Sequence, residues 1–211
     1  GAFQNLCKLL ENEQGNPIRS IRSDHGGEFE NESFDNYCDQ HGIAHNFSAP
    51  RTPQQNGVVE RKNRTLIEVG RTLINEYKLP HYFWSEAVAT ACHVINRVSL
   101  RPIIKKTPYE LWKGRRPNIS YLKVFGSKCF VLNDQDNLGK FDPKSDEGIF
   151  LGYSSSSKAY RVFNRRTLIV EESVHVTFDE SNPHKKAHDI DIPDLNKLMD
   201  DLTIDDQKEE K

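Results

Sequence analysis

Residues Ser20–Phe29 read SIRSDHGGEF. Ile18 and Ile21 alternate with polar neighbours, which predicts a strand ending near Asp24. The Gly26-Gly27 pair then lets the backbone turn sharply without Cβ clashes. A strand that ends this way holds one carboxylate, that of Asp24, in the open at a sheet edge. Taken alone, the same pattern also describes an ordinary turn, so its meaning depends on what lies around it.

Upstream, Phe3, Leu6, Leu9 and Leu10 form a short amphipathic helix pattern. Downstream, Phe34, Tyr37 and Cys38 predict a second helix stopped by Gly42, and IAHNFSAP predicts a second strand closed by Pro50. The strongest helical signal runs from Asn56 to about Tyr77. There Val59, Leu66 and Leu73 recur at seven-residue intervals with Gly70 and Tyr77 in the same stripe, while Arg61, Lys62, Arg64 and Arg71 fall largely elsewhere. Pro80 stops it. A further helix places Trp84, Val88, Cys92 and Ile95 on one face and ends before Arg101-Pro102, with Phe83 and Trp84 expected in the core. Beyond the turn-rich KGRRPNIS the pattern becomes that of short strands, KCFVLN, EGIFLGY, AYRVFN and TLIVEESVHVTF. Four strands at this spacing predict a small antiparallel barrel or sandwich.

The 211 residues leave room for one domain and a small appendage, and no apolar run approaches the roughly 20 residues that a membrane helix needs. Four cysteines without a CxxC pair suggest neither a disulfide framework nor a zinc ribbon, and fit reduced thiols of an intracellular protein. The net charge of −2 hides an asymmetry: Arg51–Arg116 holds 13 Lys and Arg against 5 acidic residues, whereas Asp189–Lys211 holds 9 acidic residues against 3 lysines. A polyanion would bind the basic middle.

Within that middle lies SAPRTPQQNGVVERKNRTL, in which Glu60 sits in the first turns of the long helix, with 35 residues between it and Asp24. At this spacing the chain resembles the DD(35)E integrase and transposase superfamily, and more narrowly the integrase of copia-type LTR retrotransposons. SDHGGEF, PQQNGVVERKNRTL, LPHYFWSEAVATACHVINR, TPYELWKGRRPNISYLKVFGSKCFV and GIFLGY are similar to that family's successive blocks, in order. The resemblance implies an α/β fold: a partial RNase H-like core over 1–115, an SH3-like β barrel over 116–180 and an acidic linker over 181–211. It also implies DNA integration by metal-dependent phosphoryl transfer, through 3′-end processing and strand transfer.

Acidic residues suit this chemistry because Mg²⁺ or Mn²⁺ prefers carboxylate ligands, and paired hard cations roughly 4 Å apart can stabilise both in-line oxygens. In the family two aspartates and one glutamate hold the metals, so Asp24 corresponds to the second Asp and Glu60 to the Glu. No residue before Asp24 offers the first Asp, so the chain is expected to be a truncated piece of a Gag-Pol polyprotein that is inactive alone. His25 also departs from the family, which usually carries Asn there. The resemblance further implies double-stranded DNA as partner, self-association, no membrane, and a nuclear site of action with a cytoplasmic particle stage.

Blander readings stand beside these. Glu60 could pair with Arg64 one turn on, and Arg61, Lys62, Arg64 and Arg71 could be a solvated face rather than phosphate contacts. Cys38, His41 and His45 in CDQHGIAH have a zinc-like spacing but read better as a helix end and strand start. Lys123, Lys128, Lys140, Lys144, Arg161, Arg165 and Arg166 make nucleic-acid binding by the barrel plausible, although the barrel could merely brace the core. A noncatalytic nucleic-acid-binding or interaction module is the competing reading of the whole.

Overall fold

The computed structural model describes residues 1–49, 57–133, 140 and 143–179. Pro50, the loop up to Asn56 and the acidic segment 181–211 lie outside the described residues. The chain divides into two compact units, Gly1–Arg64 and Thr65–Lys211.

In the first unit, α1 (Ala2–Gln14) leads to β1 (Ser20–Ser23), then α2 (Glu32–His41) and β2 (Ala44–Phe47). The two strands are parallel, in register from Ser20 opposite Ala44 to Ser23 opposite Phe47, with α2 as the crossover that parallel pairing requires. Gly15 and Gly42 end the two helices in the left-handed conformation, at φ 67° and 63°. The Glu11 carboxylate accepts from the Ile18 N–H at 2.9 Å and ties α1 to the approach of β1. Cys7, Phe34, Tyr37, Cys38 and Ile43 form the core, flanked by Phe3, Ile18, Ile21 and Phe29.

The second unit contains the C-terminal part of α3 (Gly57–Glu76), a 3-10 turn at His81–Phe83, α4 (Trp84–Val98) and α5 (Pro108–Lys113). Five strands follow: β3 (Lys128–Leu132), β4 (Ser145–Tyr153), β5 (Tyr160–Asn164), β6 (Ile169–Ser173) and β7 (Val176–Phe178). They form one antiparallel sheet in the order β6-β5-β4-β3-β7.

The stretch TLIVEESVHVTF, read as one strand, is two. Its first half pairs with β5 and its second with β3, at opposite edges of the sheet. Ser173 and Val176 can be no more than about 11 Å apart along the chain. Five flat strands would set their edges about 19 Å apart. The sheet must therefore curl, and the two-residue break between β6 and β7 is what the curl requires.

Each face of the curled sheet has its own apolar cluster. Cys129, Val131, Phe150 and Val162 gather with Tyr160 and Phe178. On the other face Ile149, Leu151 and Phe163 pack with Phe125 and with Ile74, Leu79, Phe83 and Ala87 from the helical segment.

Helix α4 buries Ala87, Thr90 and Ala91, one step round from the expected stripe of Trp84, Val88, Cys92 and Ile95. Phe83 is in the core as expected, but Trp84 is 36% exposed. Small residues face the sheet because the helix comes very close to it. The Thr90 hydroxyl donates to the Leu151 carbonyl at 2.8 Å, and a Cβ on Gly152, whose φ is 142°, would collide with that hydroxyl. Glu86, one turn earlier, receives a two-pronged hydrogen bond from Arg161 at 2.7 and 2.6 Å. The expected α3 stripe is also kept close: a Cβ on Gly70 would lie 3.1 Å from Val88.

Helix α5 escaped the periodicity reading although its start is written in TPYE. Thr107 and Glu110 form a reciprocal capping box, with Pro108 at the first helical position.

The Glu86–Arg161 pair is largely shielded, with side chains 16% and 31% exposed. Glu86→Ala leaves the guanidinium without its best partner and is expected to lower unfolding stability by about 3 kcal/mol, read from denaturant midpoints. Replacing both residues by Met should cost less than that single change. An equal or greater loss in the double variant would show that packing, not charge pairing, holds the helix.

Candidate active site

Asp24 follows the last residue of β1 and is exposed. The carboxyl ends of parallel strands are where α/β folds gather functional side chains, because loops diverge there. The loop is held by its own polar groups. The Gly26 N–H donates to Asp24 Oδ1 at 3.3 Å, while the Gly26 carbonyl accepts from the N–H groups of Phe29 and Glu30 at 2.8 and 3.0 Å. Asn31 closes the turn, donating to the carbonyls of Gly27 and Glu28 at 3.0 Å each and capping α2 by accepting from the Phe34 N–H at 2.9 Å.

Beneath Asp24, the buried Ser23 hydroxyl lies 2.9 Å from both the Asp24 carbonyl and His45 Nε2. The other nitrogen of His45 is 3.7 Å from Asp35, and its ring packs against Phe34 and Phe47. His25 stacks on Phe47 with centroids 4.7 Å apart and lies 3.4 Å from Glu30. This stacking anchors the loop to the end of β2.

Glu60 is exposed in the first turn of α3, where the helix dipole favours a carboxylate. The Glu60–Arg64 ion pair is not formed, and no hydrogen bond or ion pair joins Glu60 to Asp24. Among the described residues no group of three or more His, Cys, Asp or Glu side chains could hold a metal ion. The described residues therefore do not make up a complete carboxylate centre.

Of the zinc-like set, Cys38 is buried in the core cluster with Cys7. His41 Nδ1 lies 2.9 Å from the Tyr37 carbonyl, and His45 is engaged as above. All four cysteines are free.

Arg61, Lys62, Arg64 and Arg71 are all exposed along α3. The barrel cations differ. Lys128 and Arg165 both pair with Glu147 at 2.7 and 2.6 Å, Arg166 pairs with Asp146 at 2.8 Å, and Arg161 adds Glu172 at 3.1 Å to its bond with Glu86. Four of the seven barrel cations thus already have carboxylate partners, which the sequence alone did not reveal.

Residues 127–192 match the family model of the retroviral polymerase SH3-like domain. The chain is 41% identical over 185 residues to the retrovirus-related Pol polyprotein from transposon TNT 1-94 of Nicotiana tabacum, covering 88% of this chain and 14% of that protein. It is 39% identical over 179 residues to the corresponding polyprotein from transposon RE1 of Arabidopsis thaliana, covering 85% and 12%. The chain is homologous to the Pol polyproteins of copia-type retrotransposons.

It spans 12 to 14% of the length of these curated relatives. Its fold is α/β, and its five-stranded sheet falls within the match to the SH3-like domain. A solved structure with which this chain shares some likeness is the HTLV-2 integrase catalytic core domain in complex with magnesium. The identity is 23%, the coverage 53% of this chain and 65% of that one, and the TM-score 0.40.

Because Asn31 both caps α2 and ties down the loop after Asp24, Asn31→Ala is expected to cost about 1 kcal/mol or slightly more. Hydrogen exchange at the amides of residues 26–30 should speed up more than exchange in β1. Uniform acceleration across the unit would mean that Asn31 acts only as a helix cap.

Proposed function

We propose that the chain is part of an integrase that acts on double-stranded DNA by phosphoryl transfer, with Asp24 and Glu60 as two of its three carboxylates. The observation that carries this reading is the position of Asp24 at the carboxyl end of a parallel strand, with Glu60 following at a helix start after 35 intervening residues. By role, residues 1–115 hold the partial core and 116–180 the barrel.

The Gly26 N–H orients the Asp24 carboxylate without neutralising it. Both carboxylates present hard oxygens suited to Mg²⁺ or Mn²⁺. When bound, such an ion would supply Lewis acidity toward phosphoryl oxygens in 3′-end processing and strand transfer. Arg61, Lys62, Arg64 and Arg71 would hold DNA phosphates beside Glu60, on the same helix. Self-association belongs to this reading, since joining two DNA ends needs more than one active site, as does action in the nucleus.

A polypeptide that supplied only Asp24 and Glu60 would hold the metals with less charge and looser geometry than three carboxylates give. The 211-residue chain, given Mg²⁺ or Mn²⁺ and duplex DNA ends, is expected to yield no joined product above background. Robust joining would overturn the inactivity. The competing reading, a noncatalytic binding module, predicts the same silence; it gains if Asp24→Asn and Glu60→Gln leave Mn²⁺ binding unchanged.

Duplex affinity should fall with salt. In Arg61→Ala/Arg64→Ala the slope of log K against log salt should be shallower by about 1.8, from ~0.9 per phosphate contact. An unchanged slope would make the α3 cations solvated surface only.

A further inference from the structure

The second unit contains a cleft of about 680 Å³ between the C-terminal half of α4, the α5 segment and the turn joining β4 to β5. Three cations line it, Arg97, Arg115 and Lys158, and no carboxylate does. That composition is unusual in a unit whose strand cations are mostly ion-paired. Arg97 is held over the Tyr109 ring at 4.9 Å and donates to the His93 carbonyl at 3.0 Å, while Arg115 and Lys158 are exposed.

The floor is aromatic and fixed. His93 stacks on Tyr153 with centroids 4.2 Å apart, and Tyr121 meets Tyr153 edge-on. Tyr121 Oη lies 2.9 Å from His93 Nε2, and Tyr153 Oη accepts from the Lys123 N–H at 2.9 Å. Burial and the nearby Arg97 lower the His93 pKa to about 4, so the ring is neutral at ordinary pH and serves as an aromatic surface. One rim carries the run Ser154–Ser157, whose exposed members add hydroxyl groups.

We propose that this cleft binds unpaired nucleotides of single-stranded nucleic acid, with bases against the aromatic floor and phosphates held by Arg97, Arg115 and Lys158. Flat apolar surface next to unneutralised cations is the combination that single strands require. The volume lies in the range of small-ligand sites and suits one or two nucleotides. A duplex keeps its bases stacked inside, so its rings cannot reach the floor of a concave site without being extruded. The proposal concerns a site separate from Asp24 and Glu60, and it stands whether or not the chain catalyses DNA joining.

The test uses the whole chain and a fluorescent oligothymidylate of about ten nucleotides, within the range that small single-strand binding folds cover. Arg115→Ala/Lys158→Ala should weaken binding about tenfold and reduce the salt slope by about 1.4, from ~0.7 per phosphate contact on single strands. Both side chains are exposed, so the melting temperature should not change. Arg61→Ala/Arg64→Ala should leave this affinity within about twofold while lowering duplex affinity, which separates the cleft from the α3 face.

Three results would each overturn the proposal: undiminished oligothymidylate binding in the cleft variant, an equal loss in the α3 variant, or equally effective competition by a polyglutamate peptide of similar length. The last would mark a site for acidic peptides.

Discussion

Thr90 reaches from α4 to the Leu151 carbonyl at 2.8 Å, and the next residue on the strand, Gly152, has no side chain to keep the helix away. The β4–β5 register shifts between Phe150 and Gly152, so the ladder is irregular here and the threonine supplies a partner to a buried carbonyl. Close approach makes Ala87 and Ala91 wholly inaccessible and brings Phe83 edge-on to Phe163 at 5.2 Å. It also brings Glu86 within reach of Arg161. One and two turns further along α4, His93 and Arg97 become a wall of the aromatic cleft. A single helix-on-strand contact thus fixes a core, an ion pair and a concave surface together.

The first unit rests on a different constraint. Parallel strands need a crossover, and α2 fills that role with Phe34, Tyr37 and Cys38 on its inner face. The same geometry points the carboxyl ends of β1 and β2 the same way, so Asp24 and the Phe47–Ser48 end of β2 are neighbours. The Ser48 N–H donates to the Ser23 carbonyl at 2.9 Å, and His25 stacks on Phe47. Asp24 is therefore carried by a loop braced at its base by β2 and at its far end by Asn31. Its carboxylate stays exposed, while the backbone around it has defined hydrogen-bond partners.

Much of this was legible in the sequence because its causes are local. Seven-residue recurrence identified α3, Gly42 marked the end of α2, and alternation ahead of Gly26-Gly27 placed Asp24 just past the end of β1. What escaped depends on contacts distant in sequence. Alternation in TLIVEESVHVTF cannot tell which edge of a sheet a residue joins, so one expected strand became two. A stripe drawn through the largest apolar residues of α4 missed Ala87, Thr90 and Ala91, because near approach selects small side chains rather than hydrophobic ones. The capping box of α5 was visible in four residues but carries no periodic signal.

Charge shows the same limit most clearly. Counting cations on the barrel strands suggests a field that attracts polyanions, yet Asp146 and Glu147, adjacent on β4, engage Arg166, Lys128 and Arg165. The Asp146 carboxyl is held below the usual carboxylate range by its hydrogen bond from Arg166 and then by Asn164, so it stays ionised and keeps neutralising its partner. A phosphate approaching these strands would have to compete with carboxylates already in hydrogen-bond contact, whose geometry is fixed by the fold. A phosphate approaching Arg115 or Lys158 meets no such competitor in the cleft lining. The field available to a ligand is set by which cations the fold leaves without carboxylates, and the lining of this cleft, between the helices and the sheet, holds three cations and no carboxylate.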